Sequence, residues 1–355
     1  MSKYRVALTR DFLKSAGQVA MGDIGLSGLN NTDSLSVEFF RDHFPEVTPE
    51  QIAGFDALIS LAPRISAKTL SGADSKLCVI ARFGVGYDMV DVKALTERDV
   101  MLTITPDGVR RPMASGIAGF VLALSLNMFS KFKLLREGRW EERVDVKSVG
   151  LSGRVLGSIG LGNIGQEVFR LMKPFDMIFL GTDPYVRAED VADLGIRLVD
   201  LETLMRECDF VCVNCPLNAE TRGMIGEREL GWMKPSAFLI NTSRGPIVDQ
   251  SALYRMLKDH RIRGAALDVF EKEPLPSDDP LLQLDNILLT PHSLCWTDEC
   301  FLKMGQSAVE SVLAVLKGEV PKLVVNQEVL SHPGMIRKLE ANRARWRAHV
   351  QGELI

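Results

Sequence analysis

The sequence has little excess charge, few cysteines and no long apolar run. Its 355 residues include 42 Lys and Arg against 46 Asp and Glu, a net charge of −4 that predicts no nucleic-acid or anionic-membrane partner. No apolar run approaches the about 20 residues that a membrane span needs, and residues 1–8 lack the apolar core of a signal peptide. The six cysteines form neither a disulfide framework nor a zinc pattern, so we expect no metal site and a reducing cytoplasm.

The remaining composition is typical of a soluble α/β protein of two domains. Hydrophobic residues make up 46% and charged residues 25% of the chain, and its length exceeds that of one ordinary core. Short apolar runs alternate with helix-compatible stretches, which predicts doubly wound parallel sheets with helices between the strands. The predicted strands are residues 4–9, 55–60, 77–80, 100–105, 154–159, 177–180, 210–214, 238–241, 264–270 and 286–290.

Two helical segments have an unusual character. From Pro112 to Leu135 the pattern predicts one long helix, so apolar that we expect burial between domains or against a second subunit, and a homodimer is favoured. The tail from Pro333 to His349 predicts a basic helix. For this tail a solvated basic face is favoured over a contact across an oligomer.

A glycine-rich turn follows the predicted strand at 154–159. Gly160, Gly162 and Gly165 form a GxGxxG pattern between that strand and a helix that Pro174 ends. The first glycine allows a tight turn, the second lets a pyrophosphate approach the backbone, and the third brings the helix against the strand. The amides at the helix start then face phosphate oxygens. This arrangement predicts a dinucleotide site.

An acidic residue lies where a ribose is expected to bind. Asp183 ends the next predicted strand, eighteen residues beyond Gly165, close to the offset at which a carboxylate meets the ribose 2′-hydroxyl of NAD. The carboxylate would repel a 2′-phosphate, although Arg187 nearby can weaken that repulsion. NAD is therefore favoured over NADP; the competing interpretation is an ordinary strand-to-helix turn with Asp183 at the surface.

A second glycine loop follows the predicted strand at 77–80. Gly84 and Gly86 flank Val85 in this loop, and glycines at the carboxyl end of a strand suit a backbone that meets a ligand closely. Taken alone, a plain turn explains the loop equally well.

Three strand ends in the last third carry a cation, a carboxylate and an imidazole. Hydride transfer between a nicotinamide and a carbonyl needs a proton donor beside the oxygen, and His292 suits that task. A carboxylate such as Glu273 orients the imidazole and favours its protonated form. The guanidinium of Arg244 can grip a substrate carboxylate with two hydrogen bonds. Each residue alone has an ordinary structural explanation, but the set on a cofactor scaffold predicts a catalytic site.

With these groups the chain resembles the D-isomer-specific 2-hydroxyacid dehydrogenase family over roughly residues 50 to 318. The matching segments are residues 160–165 with Asp183, then 215–221, 241–245, 264–274 and 291–292. Formate dehydrogenases of the same fold are similar but carry Gln where Glu273 stands, so the resemblance favours a hydroxyacid substrate. The family implies a substrate domain made of residues 1–110 and 298–355, with an NAD-binding Rossmann domain at residues 111–297 inserted into it.

The resemblance also implies roles for single residues. Arg244 would bind the substrate carboxylate, and His292 would be the acid/base paired with Glu273. The amides of Val85 and Gly86 would help to hold the substrate carboxylate. Besides Gly160, Gly162, Gly165 and Asp183, the implied NAD contacts are Asn163, Ile164, Cys215, Pro216, Thr221, Thr242, Arg244, Asp268 and His292.

The sequence departs from the family where the substrate is chosen. Met89 stands where Asn is usual, Ser115 stands where an acid is frequent, and residues 293–297 include Leu294 and Trp296 where small residues are commoner. We expect Trp296 to line or narrow the substrate pocket. These departures leave the chemistry in place and the identity of the substrate open.

Several functional readings therefore remain. An NAD-dependent oxidoreductase of D-2-hydroxy and 2-keto acids is favoured, acting on glyoxylate or hydroxypyruvate, on a sugar acid, or on a phosphorylated acid of the 3-phosphoglycerate type. The phosphorylated substrate would need arginines near the site, for which the candidates are Arg64, Arg82, Arg110 and Arg111. A redox-sensing module that binds NAD with little catalysis is the alternative from another class.

Overall fold

The apolar runs of the sequence form parallel strands, and the stretches between them form helices. The computed structural model describes residues 3–30, 34–72 and 76–352. The strands are β1 (Tyr4–Leu8), β2 (Leu35–Phe39), β3 (Ala57–Ser60), β4 (Val79–Arg82), β5 (Met101–Thr103), β6 (Val155–Ile159), β7 (Ile178–Thr182), β8 (Ile196–Leu198), β9 (Phe210–Val213), β10 (Phe238–Asn241), β11 (Gly264–Leu267) and β12 (Ile287–Leu289). The α-helices are α1 (Pro49–Ile52), α2 (Val92–Glu97), α3 (Pro106–Ser125), α4 (Met128–Arg136), α5 (Asn163–Met172), α6 (Leu201–Glu207), α7 (Glu227–Leu230), α8 (Gln250–Lys258), α9 (Asp298–Leu316) and α10 (Pro333–Gly352).

The chain folds into two compact units. Unit 1 consists of Met1–Val109 and Trp296–Ile355, and unit 2 consists of Arg110–Cys295. Each unit has a parallel sheet of its own, as the sequence pattern predicts for the fold class.

Unit 1 contains a five-stranded sheet in the order β2-β1-β3-β4-β5. All four strand pairs are parallel. Leu58, Ile80 and Leu102 from three of these strands belong to one fully buried apolar cluster. The sequence pattern missed β2, because this edge strand keeps only Leu35 buried and therefore lacks a continuous apolar run.

Unit 2 contains a seven-stranded parallel sheet in the order β12-β11-β10-β9-β6-β7-β8. From β6 the chain proceeds to β7 and β8 on one side, and then returns to β9 on the other side of β6. The strand order thus reverses between β6 and β9, and ligands of open α/β sheets bind at such a switch point. The three-residue edge strand β8 was also missed, since only Ile196 of it is buried.

The predicted single helix from Pro112 to Leu135 is wrong at its start and in its middle, whereas its end lies within one residue of Arg136. Helix α3 begins at Pro106, and the helical path breaks before α4, which is bent by 59° relative to α3. The break occurs at Asn127, which has φ +49°, a left-handed conformation that Asn tolerates and that ends a helix. Within the single chain α4 is not buried, since Phe129 is 60% and Phe132 is 65% exposed, so the expected burial against a second subunit stays a prediction.

The favoured interpretation of the tail as a solvated basic face is also wrong in part. In α10 the ammonium of Lys338 donates to the carbonyls of Leu77, Arg98 and Asp99. Arg345 forms an ion pair with the buried Asp56 at 2.8 Å, and its guanidinium carbon lies 3.8 Å from the centre of the Tyr4 ring in β1. These cations therefore fasten the tail to unit 1, whereas Arg337 and Arg347 are exposed.

Among the described residues, no single helix has both the length and the apolar character needed to cross a membrane. The bent pair α3 and α4 meets the length and composition requirement only when the two helices are taken together.

Candidate active site

The glycine-rich turn joins β6 to α5 with three distinct local constraints. Gly160 has φ +95°, and a Cβ atom there would lie 2.6 Å from the Cys215 amide nitrogen. At Gly165 a Cβ atom would lie 2.4 Å from the Gly160 carbonyl oxygen, so helix and strand touch only because the side chain is absent. Around Gly162, by contrast, a Cβ atom would meet no described atom within 4 Å. The protein itself therefore requires glycine at the first and third positions, and leaves open space at the second.

The start of α5 presents backbone donors beside that open space. Gly162 is the N-cap and supplies no side-chain cap, and Asn163 and Ile164 begin the helix. The first amides of an α-helix lack partners within the helix, and the helix dipole adds positive potential there. Asn163 is exposed and Ile164 is half-buried. Together with the space at Gly162, these donors fit the pyrophosphate of a dinucleotide.

Asp183 stands at the carboxyl end of β7 and is tied to the glycine turn. Its Oδ2 accepts from the Leu161 amide at 2.8 Å, and its Oδ1 accepts from the Tyr185 amide at 2.9 Å. A carboxylate retains further lone pairs for a ribose hydroxyl when each oxygen accepts one amide. Arg187 pairs with Glu189 and Asp190, at 2.8 and 3.1 Å, so its charge is already matched by carboxylates.

The exits of β9 and β10 adjoin the same turn. The hydroxyl of Ser243 donates to the Cys215 carbonyl, which links the two exits. The hydroxyl of Thr221 donates to the Pro216 carbonyl at 2.7 Å and holds the loop after β9. Burial raises the pKa of the Cys215 thiol to about 11, so this side chain is neutral at pH 7. Thr242 is buried at the end of β10.

The Arg244 loop rests directly on the chain that leads to Glu273. A Cβ atom at Gly245 would lie 1.9 Å from the Phe270 carbonyl carbon, so no other residue permits this approach. The Asn241 side chain donates to the Arg244 carbonyl at 3.0 Å, and the Arg244 guanidinium donates to the Ser243 carbonyl at 2.8 Å. The loop is therefore fixed from both sides, and Gly245 has a steric role that the sequence motif alone does not reveal.

His292 and Glu273 form a direct pair. His292 Nδ1 lies 2.7 Å from Glu273 Oε2, while Glu273 Oε1 accepts from the Phe270 amide at 3.0 Å. The His292 side chain is 46% exposed and that of Glu273 is 35% exposed, so the imidazole can be reached by a ligand. Because an ionised carboxylate only accepts, the pair places a proton on Nδ1 and turns Nε2 outward.

The charge on Glu273 is stabilised by its surroundings. Burial alone would raise the pKa of Glu273, but hydrogen bonds from His292 and from the Phe270 amide outweigh it, aided by attraction to His292 and Arg244. The pKa of Glu273 therefore lies below its ordinary value. Arg244 is next to Gly245, which lies against the Phe270 backbone, and the Phe270 amide donates to Glu273. That Arg244, Glu273 and His292 act together on one substrate stays a prediction.

Asp268 anchors the segment that carries His292. This fully buried carboxylate accepts from the Thr290 hydroxyl at 2.6 Å, from the Ser293 amide at 2.9 Å and from the Leu294 amide at 3.2 Å. Burial raises its pKa above the ordinary value, and these hydrogen bonds offset part of the effect. Its predicted contact with NAD stays a prediction.

The loop with Val85 and Gly86 belongs to unit 1 and follows β4. The Gly84 amide donates to the Thr105 hydroxyl at 2.8 Å, and Arg82 Nε donates to the Gly86 carbonyl at 3.0 Å. The amides of Val85 and Gly86 donate to no atom within the described part of the chain. The loop therefore presents two backbone donors at the carboxyl end of a strand.

Comparison with known proteins agrees with this geometry. Residues 118–293 match the model of the D-isomer specific 2-hydroxyacid dehydrogenase NAD binding domain. The chain is 39% identical over 313 residues to a glyoxylate reductase of Korarchaeum cryptofilum, covering 86% of this chain and 93% of that protein. It is 39% identical over 278 residues to a D-3-phosphoglycerate dehydrogenase of Methanocaldococcus jannaschii, covering 78% of this chain and 53% of that protein.

A solved structure extends the likeness over the whole fold. D-lactate dehydrogenase from Aquifex aeolicus, complexed with NAD and lactic acid, matches with a TM-score of 0.78 and 25% identity, covering 90% of this chain and 99% of that one. The predicted family, fold class and use of NAD are thereby confirmed. The chain belongs to the D-isomer-specific 2-hydroxyacid dehydrogenase family and is an NAD-dependent oxidoreductase of small 2-hydroxy and 2-keto acids.

Proposed function

We propose that the protein reduces a small, unphosphorylated 2-keto acid, of the glyoxylate or hydroxypyruvate type, to the D-2-hydroxy acid. The observation that carries the proposal is the pairing of a reachable imidazole with an ionised carboxylate, beside a guanidinium, at three neighbouring strand ends. NADH, when bound, supplies the hydride that reaches the carbonyl carbon. Every other part of the reaction falls to side chains described above.

In this proposal His292 gives the proton and Glu273 keeps the imidazole in place. The outward Nε2 donates its proton to the carbonyl oxygen as negative charge develops there. Glu273 holds Nδ1 and stabilises the charged imidazolium that must be present before the transfer. In the oxidative direction the neutral imidazole accepts the hydroxyl proton through the same atom.

Arg244 binds the substrate carboxylate. Two parallel hydrogen bonds from a guanidinium fix a carboxylate in one plane, and therefore fix which face of the carbonyl is presented. The unpaired amides of Val85 and Gly86 support a further role for these residues in holding the carboxylate. We accordingly assign substrate binding to Arg244 together with the amides of Val85 and Gly86, and cofactor binding to unit 2.

The dinucleotide is held by unit 2 in this assignment. Gly160, Gly162 and Gly165 with the start of α5 take the pyrophosphate, and Asp183 takes the ribose. The further residues assigned to the cofactor are Asn163, Ile164, Cys215, Pro216, Thr221, Thr242, Arg244, Asp268 and His292. Arg187 is the arginine closest in sequence to Asp183, and its pairing with Glu189 and Asp190 supports NAD over NADP, because a 2′-phosphate would need a guanidinium there.

An unphosphorylated substrate is favoured because two of the arginines that could bind a phosphate already contact groups of the protein. Arg82 already donates to the carbonyls of its own loop, Gly86 and Phe83. Arg111 already pairs with Glu167 at 2.7 Å. In addition, the chain matches nearly the full length of a glyoxylate reductase, but only about half of a D-3-phosphoglycerate dehydrogenase. These facts support a substrate without a phosphate group.

We further propose a homodimer in a reducing compartment, the cytoplasm. The exposed apolar face of α4, with Met128, Phe129, Phe132 and Leu135, supports a subunit contact, since isolated proteins rarely expose so many neighbouring large apolar side chains. Among the described residues, Cys78, Cys208, Cys212 and Cys215 are buried thiols that form no disulfide, which supports a reducing compartment. Sedimentation of the wild type and of a Phe129→Glu/Phe132→Glu variant tests the dimer, for which the expected result is a dimer that the double substitution converts to monomer.

The experiment that tests the catalytic proposal follows NADH absorbance with glyoxylate, hydroxypyruvate, pyruvate and 3-phosphohydroxypyruvate. We expect turnover of the small acids that His292→Ala abolishes. Equal or higher kcat/KM for the phosphorylated acid would overturn the choice of substrate. Absence of NADH oxidation with every acid, at measurable NADH binding, would instead favour the sensing module.

A further inference from the structure

The backbone at His292 adopts a conformation that needs support from its surroundings. His292 has φ +50°, in the left-handed region that residues with a side chain rarely occupy. Such a residue costs of order 1 kcal/mol and persists only where neighbouring contacts determine it. Its own amide donates to the Thr290 carbonyl at 3.0 Å, which is a single local contact. Other contacts must therefore keep the segment in place.

One of these contacts is polar and buried. The Asp268 carboxylate accepts from the amides of Ser293 and Leu294, the two residues that directly follow His292. A buried carboxylate left without these donors would be costly, so the amides and the carboxylate hold each other. This anchor fixes the path of the main chain, but it leaves the rotation of the following side chains open.

The second contact is apolar and depends on a glycine in α3. A Cβ atom at Gly116 would lie 2.5 Å from Leu294 Cγ and 2.9 Å from its Cδ2, below any normal contact distance. The Leu294 side chain therefore occupies the space that a side chain at Gly116 would fill. Glycine inside a helix costs about 1 kcal/mol relative to Ala, so its presence here needs a local reason. Gly119, one turn further along α3, meets no described atom within 4 Å and is a natural reference.

We propose that Gly116 and Leu294 are positioning residues, which hold the segment after β12 so that His292 stays paired with Glu273. The Leu294 side chain packs against the backbone of α3 at Gly116. Asp268 holds the main chain of the segment that carries Leu294. The role rests on the proposed function of His292 as the acid/base. It also accounts for a bulky Leu where the sequence resemblance expects a small residue.

The test uses Gly116→Val, with Gly119→Val as the matched control in the same helix. We expect Gly116→Val to lower kcat about tenfold to a hundredfold, because displacement of a catalytic group by about 1 Å has effects of that size. NADH affinity, measured by fluorescence, falls less than kcat, since the glycine turn at residues 160–165 is untouched. Gly119→Val keeps the wild-type kcat. Gly116→Ala, which adds only the clashing Cβ atom, gives the same direction with less risk to folding.

Two combinations separate positioning from a general loss of structure. Gly116→Val/Leu294→Ala keeps the total number of side-chain carbon atoms, and we expect it to recover most of the lost kcat. In a Glu273→Gln background Gly116→Val is expected to cost little more, because the pair that it disturbs is already broken. The proposal would be overturned if Gly116→Val and Gly116→Ala both kept the wild-type kcat. It would also be overturned if Gly116→Val/Leu294→Ala recovered no activity, or if the effects of Gly116→Val and Glu273→Gln on kcat were fully additive.

A readout without catalysis keeps this inference distinct from the proposed function. The His292 imidazole resonance, assigned by its disappearance in His292→Ala, is expected to change its chemical shift in Gly116→Val and to return to the wild-type position in Gly116→Val/Leu294→Ala. An unchanged chemical shift in Gly116→Val would overturn the positioning role even if the enzyme is active. A wild type that oxidises no NADH would overturn the proposed function, while the chemical shift still decides the packing relationship.

Discussion

The Oε2 atom of Glu273 lies 2.7 Å from Nδ1 of His292, and Oε1 of the same carboxylate accepts the Phe270 amide. Glu273 is thus fixed at both oxygens, so the orientation of the imidazole follows from the main chain of the β11 exit. The negative charge of this carboxylate matters as much as its position. Removal of that charge without a change of shape is therefore the sharpest test of the pair.

Glu273→Gln is expected to lower kcat for keto-acid reduction by about tenfold to a hundredfold, within the usual contribution of acid–base catalysis. The amide keeps the shape but not the negative charge that stabilises the imidazolium, so proton transfer to the carbonyl oxygen slows. Steady-state rates between pH 5 and 9 measure the effect. Glu271→Gln, two residues earlier and exposed, is the control. A wild-type profile in Glu273→Gln would contradict the pairing.

The lowered pKa of Glu273 also sets the acid side of the profile. A carboxyl whose pKa is depressed in the folded protein supports the pair above its ordinary pKa, and that support is lost only as pH falls through the lower folded value. We therefore expect the Glu273 carboxylate to remain ionised at pH 5 in the wild type. Infrared difference spectra of wild type and Glu273→Gln, recorded from pH 6 to 3, measure its ionisation. Protonation above pH 5 would contradict the arrangement.

Arg244→Lys is expected to raise the KM for the keto acid at least about tenfold, because an ammonium keeps the charge but loses the two parallel hydrogen bonds. NADH affinity should change less than the KM for the keto acid, which separates substrate binding from folding. Arg263→Lys, in the same unit but exposed to solvent along part of its side chain, is a suitable comparison. An unchanged KM in Arg244→Lys would mean that the carboxylate binds elsewhere.

Gly162→Ala and Gly165→Ala should separate cofactor binding from stability. The first adds a Cβ atom in open space, so the melting temperature stays near that of the wild type while NADH affinity falls. The second forces a Cβ atom to 2.4 Å from the Gly160 carbonyl, so the protein is destabilised by about 1–3 kcal/mol. Calorimetry and NADH titration measure the two quantities. A strongly destabilised Gly162→Ala would show that the protein itself requires that glycine.

Arg345→Ala is expected to destabilise unit 1 by about 3 kcal/mol, because it leaves the buried Asp56 without its ionic partner. The exposed Arg347→Ala should leave the melting temperature unchanged within about 1 °C. Thermal unfolding of both variants gives the comparison. Equal melting temperatures would mean that the tail contributes little through Arg345.

Local patterns predicted much of this molecule, and contacts between distant segments account for what they missed. The glycine turn and the strand-end residues Arg244, Glu273 and His292 were foreseen, since a parallel sheet places all strand ends at one edge. The break at Asn127 depends on one residue adopting a left-handed conformation, which an apolar helical pattern hides. The ion pair of Arg345 joins the tail to Asp56 near the start of the chain, and a contact between such distant residues leaves no local pattern in the sequence.

The contact of Leu294 with Gly116 escaped sequence analysis for the same reason. A helical glycine and a leucine after the histidine are unremarkable separately, and only the fold brings them together. Gly245 was likewise visible as part of a motif, but its purpose depends on the Phe270 backbone that crosses it. Where the main chains of two segments touch, the sequence shows that a glycine is present, but only the structure shows which contact requires it.

Gly162 differs from Gly160 and Gly165 in that the fold of the polypeptide does not require the absence of a side chain there. Its φ of −69° is open to any amino acid, and no neighbouring atom crowds it. Random replacement at this codon, followed by selection for folding alone, should accept many side chains, whereas selection for turnover should return glycine. The amino acid recovered at position 162 therefore reports whether the selected activity depends on the coenzyme, because folding alone does not restrict this position.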